Sequence, residues 1–130
     1  MNIYNSQIED IDHIFELYKT ATDYQNKKSM VAWPSFDRNL VEKEIIENRQ
    51  WKLVIDHQIA CVWAVTDSDP EIWGARNNDP SIYIHRISTN PNFRGRNFVK
   101  NIVTWSKKYA SKRNKTLFIH FLSYDYLTSL

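Results

Sequence analysis

Four consecutive residues, Arg94-Gly95-Arg96-Asn97, stand just before a long amphipathic segment. Their types suit the holding of an anion. The first turn of a helix offers amide N–H groups that no carbonyl takes, and it carries a partial positive charge. Arg94 and Arg96 add formal charge, and a guanidinium pairs well with phosphate oxygens. Gly95 lets the backbone approach a ligand or take positive φ. Asn97 also visits the left-handed region. The plainer alternative is an ordinary strand-to-helix loop that contains an arginine and a glycine.

Histidine supplies the second candidate chemistry. His85 lies in the run Ser81 to Ser88. An imidazole titrates near pH 6.5 when unperturbed, which suits a general base near neutrality. Tyr83, two residues earlier, shares its strand face. The competing reading of His85 is a buried, hydrogen-bonded structural residue. His120 is a second candidate base, while His13 and His57 read as surface residues. No histidine or cysteine spacing suggests zinc, so no metal is expected. Cys61 is the single cysteine. It sits in an apolar run, as a small buried hydrophobe does.

These residues need elements to position them. A short strand covers Asn2 to Tyr4, and Ser6-x-x-Glu9 reads as a capping box. Ile8, Ile11, Phe15 and Tyr18 then fall at helical spacing, widened by Ile14 and Leu17. This helix is expected to fade near Ala21 to Asp23. Ser35 or Asp37 caps a second helix with the stripe Leu40, Val41 and Ile45. Trp51 to Ile55 and Ile59 to Val65 read as a hairpin turned at Asp56-His57, and the unbroken apolar second strand reads as covered on both faces. Thr66 to Pro80 is a long acidic loop. Ser81 to Ser88 is a strand, Asn97 to Arg113 a helix with a wide apolar face, and Leu117 to Leu122 a last strand. The order is β-α-α-β-β-β-α-β. Its final strand, helix and strand form a right-handed crossover in a mixed sheet. The fold class is α/β (α+β).

The 130 residues suit one domain, 1–130. With 42% hydrophobic and 25% charged residues, the composition is that of a soluble globular protein. Five Trp, seven Tyr and six Phe point to a dense aromatic core, the alternative being an aromatic ligand surface. A net charge of +2 is too small to imply nucleic acid, even with Lys107, Lys108, Lys112, Arg113 and Lys115 close together. No run approaches a membrane span and no basic-then-apolar leader opens the chain. The expectation is a cytoplasmic protein with neither nucleic-acid nor membrane partner.

The stretch from Ile82 to Val99, IYIHRISTNPNFRGRNFV, resembles the central motif of the GNAT acyltransferase superfamily. In that family a strand and a Pro-containing loop lead into Gln/Arg-x-x-Gly-x-Gly/Ala and a helix. Arg94 fills the first position; Asn97 replaces the usual Gly, and Val99 the Gly or Ala. The element order extends the likeness to residues 1 to about 122. It implies acetyl-CoA as co-substrate, with its pyrophosphate on Arg94, Gly95, Arg96, Asn97, Phe98 and Val99. Pantetheine amides would bond to exposed backbone at Ile87, Ser88 and Thr89. The expected function is N-acetyl transfer to a primary amine, small or on a protein, with His85 as base and Tyr83 beside it. Trp33, Phe36 and Trp73 are the expected pocket walls, with Asp67, Asp69 or Glu71 drawing in a cation. The alternative is a GNAT-like acyl-CoA-binding or regulatory module that has lost turnover.

Family members usually continue with an Asn-led helix, a tyrosine acid and two more antiparallel strands. After Leu122 this sequence has only Ser123 to Leu130. Asp125 lies where that Asn is expected, and Tyr124 and Tyr126 come too early to serve as the acid. A GNAT-like sheet without its usual last helix and two C-terminal strands is the expectation. The 117–122 strand then becomes an apolar edge that templates pairing with another chain. Light scattering is expected to show a homo-oligomer, and a clean monomer at high concentration would count against a shared edge.

Overall fold

A computed structural model describes residues 1–28, 37–67, 81–113 and 115–119. The elements are β1 (Asn2–Asn5), α1 (Ile11–Lys28), α2 (Arg38–Ile46), β2 (Gln50–Ile55), β3 (Gln58–Asp67), β4 (Ser81–Thr89), α3 (Phe98–Lys112) and β5 (Thr116–Ile119). This is the order expected from the sequence. The five strands form one sheet in the order β1-β2-β3-β4-β5. The first four pair antiparallel, and β5 runs parallel to β4 through Ser81↔Thr116 to Ile84↔Ile119.

The β2–β3 turn shows how sequence sets the connection. Asp56 and His57 both have positive φ, 50° and 64°. Two such residues make the tight hairpin turn whose twist matches its strands, and Asp tolerates that region well. At the other end, Asp37 accepts the Asn39 amide at 2.9 Å and so caps α2.

Helices cover both faces. On one, Ile11, Ile14, Leu17 and Tyr18 of α1 and Val41 and Ile45 of α2 pack with Val62 of β3. On the other, Phe98, Val99, Ile102 and Ala110 of α3 pack on Cys61, Trp63, Ile82, Ile84 and Ile87. Alternate β3 residues therefore face opposite cores, as an unbroken apolar run requires. The aromatic content is concentrated on the α3 side. Trp105 lies 4.7 Å from Trp51, 5.3 Å from Trp63 and 4.9 Å from Tyr109 between ring centroids.

Several local expectations need correction. The chain enters its first helix one residue later than expected: the Gln7 amide donates to Asp10 Oδ2 at 2.7 Å, in place of a Ser6–Glu9 box. Ser6 is buried, with its own amide on the Gln50 carbonyl. Ile8 is exposed in a 3₁₀ turn. The first helix continues to Lys28, past the polar residues expected to end it. In α2 the buried stripe is Val41, Glu44 and Ile45, while Leu40 is exposed. A glutamate thus occupies a core position. Trp33, Phe36, Trp73, Asp69, Glu71, His120 and the Ser123–Leu130 segment lie outside the described residues, as do all but the first two residues of the acidic loop.

Glu44 belongs to a buried polar group with Tyr18, Gln50 and Arg86. Gln50 Nε2 donates to the Tyr18 hydroxyl at 2.8 Å and to Glu44 Oε1 at 3.3 Å. Burial pushes the Tyr18 phenol above its ordinary value of 10.0; Arg86 and Gln50 draw it down by less, and Glu44 adds to the rise. A raised folded-state pKa gives stability that is complete below pH 10 and lost as pH climbs through the raised value. Tyr18→Phe is expected to cost about 1 kcal/mol at pH 7, through the donor it leaves on Gln50. In urea titrations it should also flatten the fall in stability above pH 10, and an unchanged alkaline slope would contradict this origin.

Candidate functional site

β4 ends at Thr89 and hands the chain to a short 3₁₀ turn, Pro91–Phe93, that Asn90 secures. The Asn90 amide donates to the Ala60 carbonyl at 2.7 Å, and its side-chain amide donates to the Ile59 carbonyl at 3.1 Å. Asn90 Oδ1 accepts the Asn92 amide at 3.0 Å. Ala60 can be reached because β3 itself carries an extra residue there: Leu53↔Cys61 is followed by Val54↔Ile59. The loop is thus tied to β3 as well as to its own strand.

Beyond the turn the backbone reverses twice. Gly95 has φ +82°, and a Cβ built there would meet nothing within 4 Å. The dihedral, not lack of space, calls for glycine. Asn97 has φ 59° and ψ 40° and makes no side-chain cap bond. Asparagine is among the few residues that take this region without large strain. The replacement of the family's Gly by Asn97 therefore leaves the backbone geometry available. Val99, the other departure, is 3% exposed and packs in the core with Phe98.

Among the described residues, no acceptor takes the backbone N–H of Gly95, Arg96, Asn97, Phe98 or Val99. Gly95, Arg96 and Asn97 are exposed and Arg94 is half-buried. The Arg96 guanidinium lies over the buried Phe93 ring, 5.1 Å from its centroid, and that ring is 6.1 Å from Phe98. Stacking holds the charge near the amides instead of letting it sweep through water. Arg94 Nε and Nη2 are buried, so Arg96 is the guanidinium beside the turn. Amides without an acceptor, a helix start and that guanidinium suit the phosphate oxygens of a nucleotide cofactor.

Upstream on β4, His85 is half-buried and its Nε2 lies 2.7 Å from Thr66 Oγ1. The Tyr83 ring stacks beside it at 6.2 Å with 22° between planes, so the two share one face. Ile87, Ser88 and Thr89, expected to offer exposed backbone, are instead 0%, 0% and 2% exposed. Ile87 points into the α3-side core, and Ser88 and Thr89 pair with Val62 and Cys61. His13 and His57 are exposed. An open groove of about 450 Å³ includes Tyr4, His13, Lys52, His57 and Asn90, but neither His85 nor the loop amides line it.

Arg86 and its partners carried no functional reading in the sequence. Arg86 has φ 54° inside a strand. Its guanidinium pairs with the Glu44 carboxylate and lies 5.8 Å from the Tyr18 ring centroid. The available signal was Glu44 itself, three residues after Val41 on the buried side of a short helix.

The β4–α3 turn follows the fourth of the five described strands in a mixed α/β domain. No family model and no curated protein sequence matches the chain. Solved structures do. A GNAT-family acetyltransferase from Listeria monocytogenes is 17% identical with a TM-score of 0.75, over 87% of this chain and 71% of that one. A predicted acetyltransferase from Clostridium acetobutylicum, with acetyl-CoA, is 18% identical with a TM-score of 0.66, over 95% and 81%. A ribosomal-protein-alanine N-acetyltransferase from Brucella melitensis biovar Abortus is 12% identical with a TM-score of 0.63, over 92% and 80%. The chain has the GNAT acetyltransferase fold. No helix among the described residues is long and apolar enough to cross a membrane.

The left-handed dihedrals make the loop testable apart from any ligand. Asn97→Gly is expected to leave the urea midpoint nearly unchanged. Asn97→Val should lower stability by about 1–2 kcal/mol, because a β-branched residue resists positive φ. Equal midpoints for the two variants would show that the reversal at 97 is not needed.

Proposed function

We propose that the chain is an N-acetyltransferase that moves an acetyl group from acetyl-CoA to a primary amine, on a small molecule or on a protein. The observation that carries this is the row of five amides at the β4–α3 turn that have no acceptor among the described residues, next to Arg94 and Arg96 in sequence. It suits the diphosphate of CoA, and a structure of the same fold was solved with acetyl-CoA. Arg94 and Arg96 supply the charge, and the amides from Gly95 to Val99 supply fixed donors. For Phe98 and Val99 only the backbone serves, since both side chains are buried. The chain works as a cytoplasmic enzyme in this reading, and the β5 edge is where copies would join.

The chemistry needs little more than position and a proton acceptor. The amine nitrogen bonds to the acetyl carbon, the carbon–sulfur bond breaks, and the amine loses a proton. His85, held with its Nε2 2.7 Å from Thr66 Oγ1, is the acceptor for that proton in this proposal, directly or through water. Tyr83 stacks on the ring and limits its rotation. Trp33, Phe36 and Trp73 wall the amine pocket in this proposal. The departing thiolate takes a proton from the solvent side of the site.

Calorimetry with acetyl-CoA, followed by thiol release with a panel of amines, tests the reading. Arg94→Ala and Arg96→Ala should each weaken acetyl-CoA binding by about 1–3 kcal/mol. His85→Gln should keep that affinity and lower turnover about 10²-fold. Binding without turnover in the unaltered protein would favour a regulatory acyl-CoA-binding module, and no binding would remove both.

A further inference from the structure

Two residue steps on β3, Val62 to Ala64, lie opposite three on β4, since Val62 pairs with Ser88 and Ala64 with His85. One residue of β4 is therefore extra, and the strand bulges between His85 and Ser88. Ile84 and Ile87 both face the α3-side core. His85, next to Ile84, faces the other way by alternation, and Arg86 reaches Glu44 of α2 and Tyr18 of α1 on that side. Successive side chains thus share one face, and the kink falls on Arg86 at φ 54°.

Arginine has no intrinsic liking for this region, unlike the Asn, Asp and His residues at the other positive-φ positions. Something must hold it. Glu44 is 2% exposed, and its carboxylate meets Arg86 and, at 3.8 Å, Nη1 of Arg49. Glu44 is itself fixed: its carbonyl accepts the Arg49 amide at 2.8 Å, and Gln50 Nε2 donates to its Oε1. A buried carboxylate this constrained fixes where the Arg86 guanidinium can end, and so which way its backbone turns.

We infer that the Glu44–Arg86 pair is a latch between α2 and β4 that keeps the bulge at Arg86 and thereby aims the end of β4, with its amide-bearing turn, relative to His85. Both are positioning residues that act through the strand. The inference rests on the acetyl-CoA reading for its functional effect but not for its structural one. If the latch slips, Arg86 relaxes to an extended conformation and the extra residue moves. Ile87 to Thr89 then change faces, because a one-residue slip reverses every side chain beyond it.

Removing one charge would deprive the other of its main ion-pair partner inside the fold, so a fold defect could mimic the effect. Two variants avoid this: Glu44→Met with Arg86→Gly, and Glu44→Met with Arg86→Leu. Glycine keeps positive φ without a latch, and leucine does not. The glycine variant is expected to retain the Val62–Ser88 cross-strand contact by NMR and to bind acetyl-CoA within about twofold of the unaltered protein. The leucine variant should lose that contact and bind at least tenfold more weakly. The inference is overturned if both variants keep the contact. Should the unaltered protein fail to bind acetyl-CoA, the functional proposal falls alone, and the contact still decides the latch.

Discussion

One register slip governs the centre of this molecule. β4 uses three residues where β3 uses two, and everything from Ile87 onward takes its direction from that extra residue. A bulge increases local twist and re-aims the strand beyond it. Past this bulge lie the anchor at Asn90, the 3₁₀ turn and the open amides. The slip in β3 at Ala60 complements it, because it presents the carbonyl that Asn90 takes. Two irregularities in adjacent strands thus hold one loop. A perfectly regular β3–β4 pair would have sent Ile87 toward the α1–α2 layer and Ser88 into the α3-side core.

The chain achieves its reversals with little glycine. It has two glycines in all, yet five non-glycine residues among those described take positive φ: Asn48, Asp56, His57, Arg86 and Asn97. Four are types whose short polar or planar side chains tolerate the left-handed region. They sit where a helix ends, where a hairpin turns and where α3 begins. Arg86 alone is of the wrong type, and it alone among the five has a buried carboxylate from another element to hold it. At Asn97 the tolerance is local and no partner is required. At Arg86 it is imposed across the core.

Much of this was legible in the residues. Period-two and period-3.6 patterns placed the strands β2 to β5 and the three helices, because each has one or two largely apolar faces. The types at Gly95 and Asn97 announced positive φ, and both have it. Features set by a distant partner could not be read. Helix α1 outlasts its polar stretch Asp23 to Lys28, beyond where periodicity alone would carry it. Leu40 and Glu44 exchange the roles their hydropathy suggests, since Glu44 faces Arg86 of β4 as well as Arg49 and Gln50 where β2 begins. The bulge left only a slight trace: the core-facing isoleucines step by two from Ile82 to Ile84 and by three to Ile87, and pairing with β3 shows which residue is extra. The burial of Ile87 to Thr89 follows from that same bulge and from the β3 ladder.

Stability alone does not account for a buried pair such as Glu44 and Arg86. Taking both charges from water costs several kcal/mol per ion, and well-packed apolar residues of equal volume often do as well or better. A methionine at position 44 would extend the Val41–Ile45 stripe and bury more apolar surface. An apolar pair, however, is indifferent to direction. Methylene contacts hold a side chain in a region, whereas a carboxylate facing a guanidinium holds it to a geometry. Direction is what a strained residue in mid-strand needs, because about 1–3 kcal/mol favours its return to an extended conformation. Glu44 meets that requirement from a helix that otherwise contributes only cover, and Gln50 and Arg49 keep its carboxylate from following Arg86 out. The charge is therefore best understood as fixing the backbone angle at Arg86, with the aim of the loop as its consequence.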